Sequence, residues 1–186
     1  MEGASFSLIV KDVHNGETVF AYDTLRQLTP ASVMKTVTTA TALEILGEDY
    51  RFPTTLAYDG SIEKGLLKGN LYIKGSGDPS LGSAHFAPYH KRFLQEWISA
   101  LKKVGIHKIQ GAVIADESIF DTEGTSFKWV GEDMGSYYGA GSYGLCVFDN
   151  LYKLGLQTGA PGSRPKLKGT EPELSGIHFH NYLTAQ

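Results

Sequence analysis

The chain has 186 residues, 41% of them hydrophobic and 20% charged, with a formal net charge of −3 at neutral pH. These values describe a globular chain of one domain or one and a part, and they exclude a disordered polyelectrolyte and a basic nucleic-acid binder. One cysteine, Cys146, excludes an intramolecular disulfide, and no apolar run approaches the roughly 18 residues of a transmembrane helix.

In chain order, residues 5–13 read as a strand and 18–22 as its partner, joined by His14-Asn15-Gly16-Glu17 with its Asn-Gly hairpin signal. After a polar connection, Pro30 and Ala31 lead into a helix from about Ser32 to Leu46, with Gly47 as its stop. Short strands are expected over 52–58 and 69–74, on either side of Asp59-Gly60, and a tight loop at Gly75-Ser76-Gly77-Asp78-Pro79. An amphipathic pattern over Pro88–Val104 predicts a helix closed by Gly105, and 108–116 predicts a strand. Residues 131–146, rich in Gly and Tyr, read as irregular, 145–156 as a strand in preference to a short helix, 159–172 as a Pro/Gly/Lys-rich loop and 177–183 as a last strand. The order is mixed, neither a regular βαβ alternation nor all-β, so the expected class is α+β.

The chemistry concentrates at Ser32-Val33-Met34-Lys35. A serine alcohol needs a base to become a nucleophile, and a lysine three residues on lies on the same helical face. S-x-x-K opens the motif set of penicillin-recognising acyl-serine enzymes. Ser61…Lys64 and Ser99…Lys102 match the same spacing, so spacing alone does not select a site. Context does: Ser61 follows the Asp59-Gly60 turn, Ser99 lies inside an amphipathic pattern, and only Ser32 stands at a helix start, where the helix dipole favours developing negative charge. The plainer alternative makes Ser32 an N-cap and Lys35 a solvated first-turn residue.

Other features read as structural. Asp78 after Gly-Ser-Gly and before Pro79 is a turn residue, Cys146 a core filler, and Tyr137, Tyr138 and Tyr143 a packed loop rather than a sugar-stacking surface. His178 and His180, two apart on the expected last strand, have no Cys or further His near them, so no metal site is assigned. No cofactor is called for.

Four segments in register resemble one family. Leu28 to Ala40, with Pro30-Ala31-Ser32-Val33-Met34-Lys35, resembles the P-A-S-x-M-K start of serine-type D-alanyl-D-alanine carboxypeptidases and endopeptidases, the class C low-molecular-mass penicillin-binding proteins. Asp49-Tyr50-Arg51-Phe52 with Thr54-Thr55-Leu56, Gly69 to Leu81 and Gly111 to Phe120 resemble the segments that follow in that family. The resemblance implies a penicillin-binding, β-lactamase-like domain of sheet and helices. Residues 1–56 would be its first piece (hairpin plus active-serine helix) and 57–186 part of an inserted α+β domain, cut at its C-terminal end.

It further implies Ser32 as nucleophile, Lys35 as general base and Asp116 and Phe120 as substrate contacts, acting on a peptidoglycan stem peptide ending in D-Ala-D-Ala, with β-lactams as covalent inhibitors. Neither nucleic acid nor a transmembrane segment is implied. The parent family is periplasmic or cell-envelope-bound, and no signal peptide is read at Met1-Glu2-Gly3-Ala4. The family's S-x-N and K-T-G elements are not found: no Ser is followed two positions later by Asn, and Gln157-Thr158-Gly159 lacks the cation. The chain is therefore expected to be an incomplete carboxypeptidase, whose Ser32 helix exposes an apolar face through which copies could associate. The alternatives are a non-catalytic peptidoglycan-binding or interaction fragment, and a serine esterase or β-lactamase using Ser32 and Lys35 alone.

Overall fold

Asn15-Gly16 closes the first hairpin because Gly16 supplies the positive φ, +75°, that the turn requires. In the computed structural model, which describes residues 3–86 and 92–186, the chain divides into two compact units, Met1–Arg51 and Phe52–Gln186.

In the first unit, β1 (Leu8–Lys11) and β2 (Thr18–Tyr22) pair antiparallel, with Leu8 opposite Tyr22 and Val10 opposite Phe20. Phe6 stacks on Tyr22 at 4.8 Å between ring centroids, and Arg26 bridges Asp23 and Ser5 at 2.9 Å each. The helix α1 (Met34–Leu46) follows a 3-10 turn at Ala31–Val33 and ends at Gly47, whose φ is +80°. Apolar and polar side chains are distributed around α1 without a single apolar face, and none of its residues is buried; Val37, Leu43 and Ile45 are 59, 61 and 74% exposed.

The second unit is built on a repeated step. Strands β3 (Thr55–Tyr58), β6 (Leu71–Lys74) and β8 (Val113–Asp116) form one sheet; β4 (Ser61–Glu63), β5 (Leu66–Lys68) and β7 (Lys108–Gln110) form another. Each sheet has an antiparallel pair followed by a parallel one. The helix α2 (Phe93–Lys103) supplies the crossover that parallel pairing of β5 with β7 demands. The strand expected over 108–116 is thus two strands in two sheets, broken at Gly111-Ala112 where the facing chain also bends, at Gly69-Asn70. A Cβ on Gly111 would run into the carbonyl oxygen of Gly69, and one on Gly69 into Asp59. Side chains fasten the bend. Asp59 accepts from the Asn70 N–H at 2.6 Å, the Asn70 amide at 3.1 Å and the Tyr72 hydroxyl at 2.8 Å, while Asn70 Oδ1 accepts from the Ala112 N–H at 2.9 Å.

Leu67, in the middle of β5, is fully buried and faces Ile62 and Ile109 in the neighbouring strands. Leu71, Leu81, Phe93, Ile106 and Ala185 are also buried among the described residues of this unit. Phe93 meets Trp97 and Phe148 edge-on at 4.9 and 5.8 Å.

Four further sequence expectations need correction. The β4–β5 hairpin is additional; its strands of three residues each are too short to show a period of two. Within 145–156 only the end is strand: Phe148–Asn150 is a 3-10 turn with positive φ at all three residues, and β9 (Lys153–Gln157) follows. The loop expected over 159–172 contains β10 (Lys166–Glu171), which pairs antiparallel with β9, its register shifting between Leu167 and Gly169. The last strand expected over 177–183 does not form; that segment is pinned by isolated bonds instead, including Asn181 Nδ2 to the Pro165 carbonyl at 2.7 Å. Of the helix expected over 88–104, residues 88–91 lie outside the described residues.

Candidate active site

Pro30 ends the polar connection in a helical conformation, and Ala31 takes a φ of +45°, a left-handed value that a residue with a Cβ adopts only under constraint. That kink sets Ser32 in the 3-10 turn before α1. Val33 is the helix N-cap and receives no side-chain cap bond, so Ser32 does not serve as the cap. Instead its Oγ accepts a hydrogen bond from Lys35 Nζ at 3.1 Å. Of the three S-x-x-K matches, this is the one whose serine and lysine are hydrogen-bonded among the described residues. Ser61 is in β4 with Lys64 beyond its end, and Ser99 and Lys102 both lie on α2. Thr39 Oγ1 turns back to the carbonyls of Lys35 and Thr36 at 2.8 and 3.2 Å, fixing the first turn beneath the pair. Both Ser32 and Lys35 are exposed in this chain.

Asp116 and Phe120 belong to the second unit. Asp116 ends β8, opposite Lys74 of β6. Hydrogen bonds from the side chain and N–H of Ser118 hold its carboxyl below the usual carboxylate range, with a smaller contribution from Lys74; desolvation opposes them. Phe120 lies over Gly77: a Cβ there would stand 2.8 Å from the ring, so the bare glycine, with φ +87°, is what admits it. Phe120 also lines a depression of about 410 Å³ with Ile119, Asp121, Glu123, Gly124 and Ser142; Asp116 is outside that lining. Asp121, Glu123 and Ser142 were not singled out in the sequence. The acid-rich stretch after Phe120 was the available signal for the first two; nothing marked Ser142, which the fold brings in from a distant loop through Ser142 N–H to the Gly124 carbonyl at 2.8 Å.

The loop at 75–79 behaves as a structural turn. Asp78 Oδ1 accepts from Ser80 N–H and Oγ at 2.8 and 2.6 Å, and Gly77 N–H bonds the Gly144 carbonyl at 2.7 Å. Cys146 is half-buried, its Sγ bonded to the backbone of Tyr143. The tyrosines divide: Tyr143 packs over Gly124 and Gly141, whereas Tyr137 and Tyr138 are 78 and 57% exposed, so the packed-loop expectation fails for those two. Among the described residues no group of three or more His, Cys, Asp or Glu stands together as a metal site, and no helix is long and apolar enough to cross a membrane.

The D-Ala-D-Ala carboxypeptidase 3 (S13) family matches residues 1–185. The D-alanyl-D-alanine carboxypeptidase of Actinomadura sp. (strain R39) is 33% identical over 147 residues, which are 79% of this chain and 26% of that protein. The D-alanyl-D-alanine carboxypeptidase DacB of Haemophilus influenzae is 29% identical over 133 residues, 72% of this chain and 26% of its own. The crystal structure of penicillin binding protein 4 (dacB) from Haemophilus influenzae superposes with a TM-score of 0.72 at 28% identity, covering 86% of this chain and 34% of that one. The same protein complexed with a novel β-lactam superposes at 0.64 and 26% identity, covering 90% and 32%. The chain therefore spans about a quarter of the length of the curated relatives it matches.

Proposed function

This chain belongs to the D-Ala-D-Ala carboxypeptidase 3 (S13) family, and from that premise we propose that it carries the acylating half of a serine-type D-Ala-D-Ala carboxypeptidase of peptidoglycan metabolism. The 3.1 Å Lys35–Ser32 hydrogen bond carries the reading. Lys35 is the base that takes the Ser32 proton. Oγ bonds to the carbonyl carbon of the terminal peptide bond, the C–N bond breaks, and the proton passes to the departing D-alanine amine. Water then hydrolyses the ester. The Ser32 backbone N–H, at the positive end of α1, is the oxyanion donor on this side of the pocket. No cofactor enters the reaction.

Asp116 and Phe120 are proposed as substrate contacts; the open depression lined by the Phe120 ring supports Phe120, and Asp116, outside that lining, rests on the resemblance of Gly111 to Phe120 to the family's segment. Residues 1–56 are proposed as the first segment of the acyl-serine domain and 57–186 as part of an inserted domain, a division supported by the contact boundary between Arg51 and Phe52. A periplasmic or cell-envelope location follows from the proposed substrate. The exposed apolar side chains of α1 are proposed as the surface through which two copies associate, read by gel filtration across concentrations.

A second reading has a specific observation behind it. S-x-N and K-T-G do not occur in the sequence, and loss of even one oxyanion donor typically costs about 10²–10³ in rate; on this reading the 186 residues bind cell-wall material without catalysis. Intact mass after incubation with a penicillin separates the two. A covalent adduct that disappears in Ser32→Ala supports acylation. A folded protein with no adduct refutes it for this chain.

A further inference from the structure

The β9–β10 hairpin is a sheet of two strands, so each strand has one edge with no further strand beside it among the described residues. Such an edge is a template for another extended chain, and natural edges are blunted by lysines, prolines, bulges or covering segments. β10 carries these devices. Pro165 stands just before it, Lys166 and Lys168 lie on it, and the register shift between Leu167 and Gly169 leaves Lys168 with no residue opposite. The C-terminal segment is also tied to the residues leading into β10. Asn181 donates to the Pro165 carbonyl at 2.7 Å, and the Ala185 N–H to the Ser163 carbonyl at 2.8 Å. β9 has one charge, Lys153 at its start, no proline, and exposed residues throughout.

The sequence of β9 selects the occupant. Lys153-Leu154-Gly155-Leu156-Gln157 has nearly the same pattern in both directions about Gly155. Leu154 and Leu156 share a face, with Leu167 opposite Leu156, and the three are 37, 39 and 39% exposed. In an antiparallel pair of identical strands, opposite residues turn their backbone groups toward or away from the partner alike, so the two-fold axis passes through a residue. An axis through Gly155 overlaps the whole strand, whereas axes through Leu154 or Leu156 shorten the overlap. About Gly155, Leu154 of each copy faces Leu156 of the other on the apolar face. On the opposite face Lys153 meets Gln157, so no like charges stand opposite one another. Lys153 keeps Glu171 of its own β10 across from it. An unrelated extended peptide would use the same backbone groups without this match of leucine to leucine.

We infer that the outer edge of β9 is a self-association surface, which pairs antiparallel with β9 of a second copy about a two-fold axis through Gly155 and joins two hairpins into one four-stranded sheet. A five-residue edge is a small interface, so the association is transient and concentration-dependent. It is separate from the α1 surface and independent of acylation at Ser32.

The test is disulfide trapping in the full chain, with Cys146→Ser removing the native thiol. A Cβ at Gly155 meets the Lys168 side chain at 3.3 Å and the Gly169 carbonyl at 3.5 Å, so Gly155→Cys fits with a small adjustment. Residues opposite in an antiparallel pair have Cα atoms about 4.5–5.5 Å apart, within disulfide reach. Two copies of Gln157→Cys would hold their thiols about 13 Å apart along the strand, beyond that reach. Under mild oxidation, Gly155→Cys should form covalent dimer at least about tenfold faster than Gln157→Cys, and adding Leu156→Lys should slow it about tenfold. A mixture of Lys153→Cys and Gln157→Cys copies should crosslink to one another. In the unmodified chain, amide exchange at 153–157 should slow as concentration rises. Equal crosslinking of Gly155→Cys and Gln157→Cys, as association through α1 alone or parallel pairing would give, overturns the inference. So does crosslinking unchanged by Leu156→Lys, or β9 exchange independent of concentration.

Discussion

Leu67→Ala is the sharpest test of how the second unit is held together. Leu67 is fully buried on the central strand β5, between Ile62 and Ile109. Truncation removes three carbons from a site with no solvent contact, a transfer loss of about 2.4 kcal/mol at about 0.8 kcal/mol per methylene. Strands β4 and β7 flank the residue on both sides through backbone hydrogen bonds, so the site cannot close freely. About 40 Å³ of unfilled space would add roughly 1 kcal/mol. The expected loss is about 3.4 kcal/mol, a large share of a domain's typical 5–15 kcal/mol. Urea unfolding followed by far-UV circular dichroism reads it as a fall in midpoint at unchanged slope. Leu94→Ala is the internal control: Leu94 is 47% exposed on α2, and its truncation should cost about 1 kcal/mol. A Leu67→Ala loss no larger than that of Leu94→Ala would refute the claim that β5 is the centre of the core.

Three further outcomes follow from named geometry. The Asp59 carboxyl is held below its ordinary value, first by the Asn70 N–H and then by the Tyr72 hydroxyl. Its contribution to stability is therefore present above the unfolded carboxylate value of about 3.9 and is lost as pH falls through the depressed folded value. Asp59→Asn should lower the melting temperature at pH 7 and flatten its decline on acidification below about pH 4. It should also bring the Tyr72 phenol, raised chiefly by its bond to Asp59, back toward ordinary titration in an ultraviolet pH series. Gly111→Ala should destabilise by about 1–3 kcal/mol in thermal melts, because the new methyl meets the Gly69 carbonyl at the bend between the two sheets. Phe148, Asp149 and Asn150 hold φ values of 55°, 58° and 53° in succession. Asp149→Val should therefore be about 1–2 kcal/mol less stable than Asp149→Gly in parallel denaturation curves.

The candidate residues of the two units were not equally legible. Ser32 and Lys35 are three residues apart, and helical geometry alone brings such a pair together once the helix start is recognised. The hydrogen bond between them is a local consequence of sequence. The depression beside Phe120 is different, since Ser142 reaches it from more than twenty residues away and no local pattern announces the contact. Arg164 and Tyr182 meet for the same reason, across a hairpin whose second strand reads as loop. Lys166-Leu167-Lys168-Gly169 lacks the β-branched and aromatic residues that signal a strand, and it becomes one because β9 offers it a partner.

By itself the sequence determined the features that local physics controls. These are the Asn-Gly hairpin, the serine at the start of α1 with its lysine one turn on, the amphipathic α2, the mixed α+β class and, through four segments in register, the family. Tertiary structure alone decided where one apparent strand divides between two sheets, which short segments pair, and which side chains share a depression. Those outcomes depend on partners distant in the chain: a glycine permits a bend anywhere, but only the Gly69 carbonyl facing Gly111 makes glycine obligatory there.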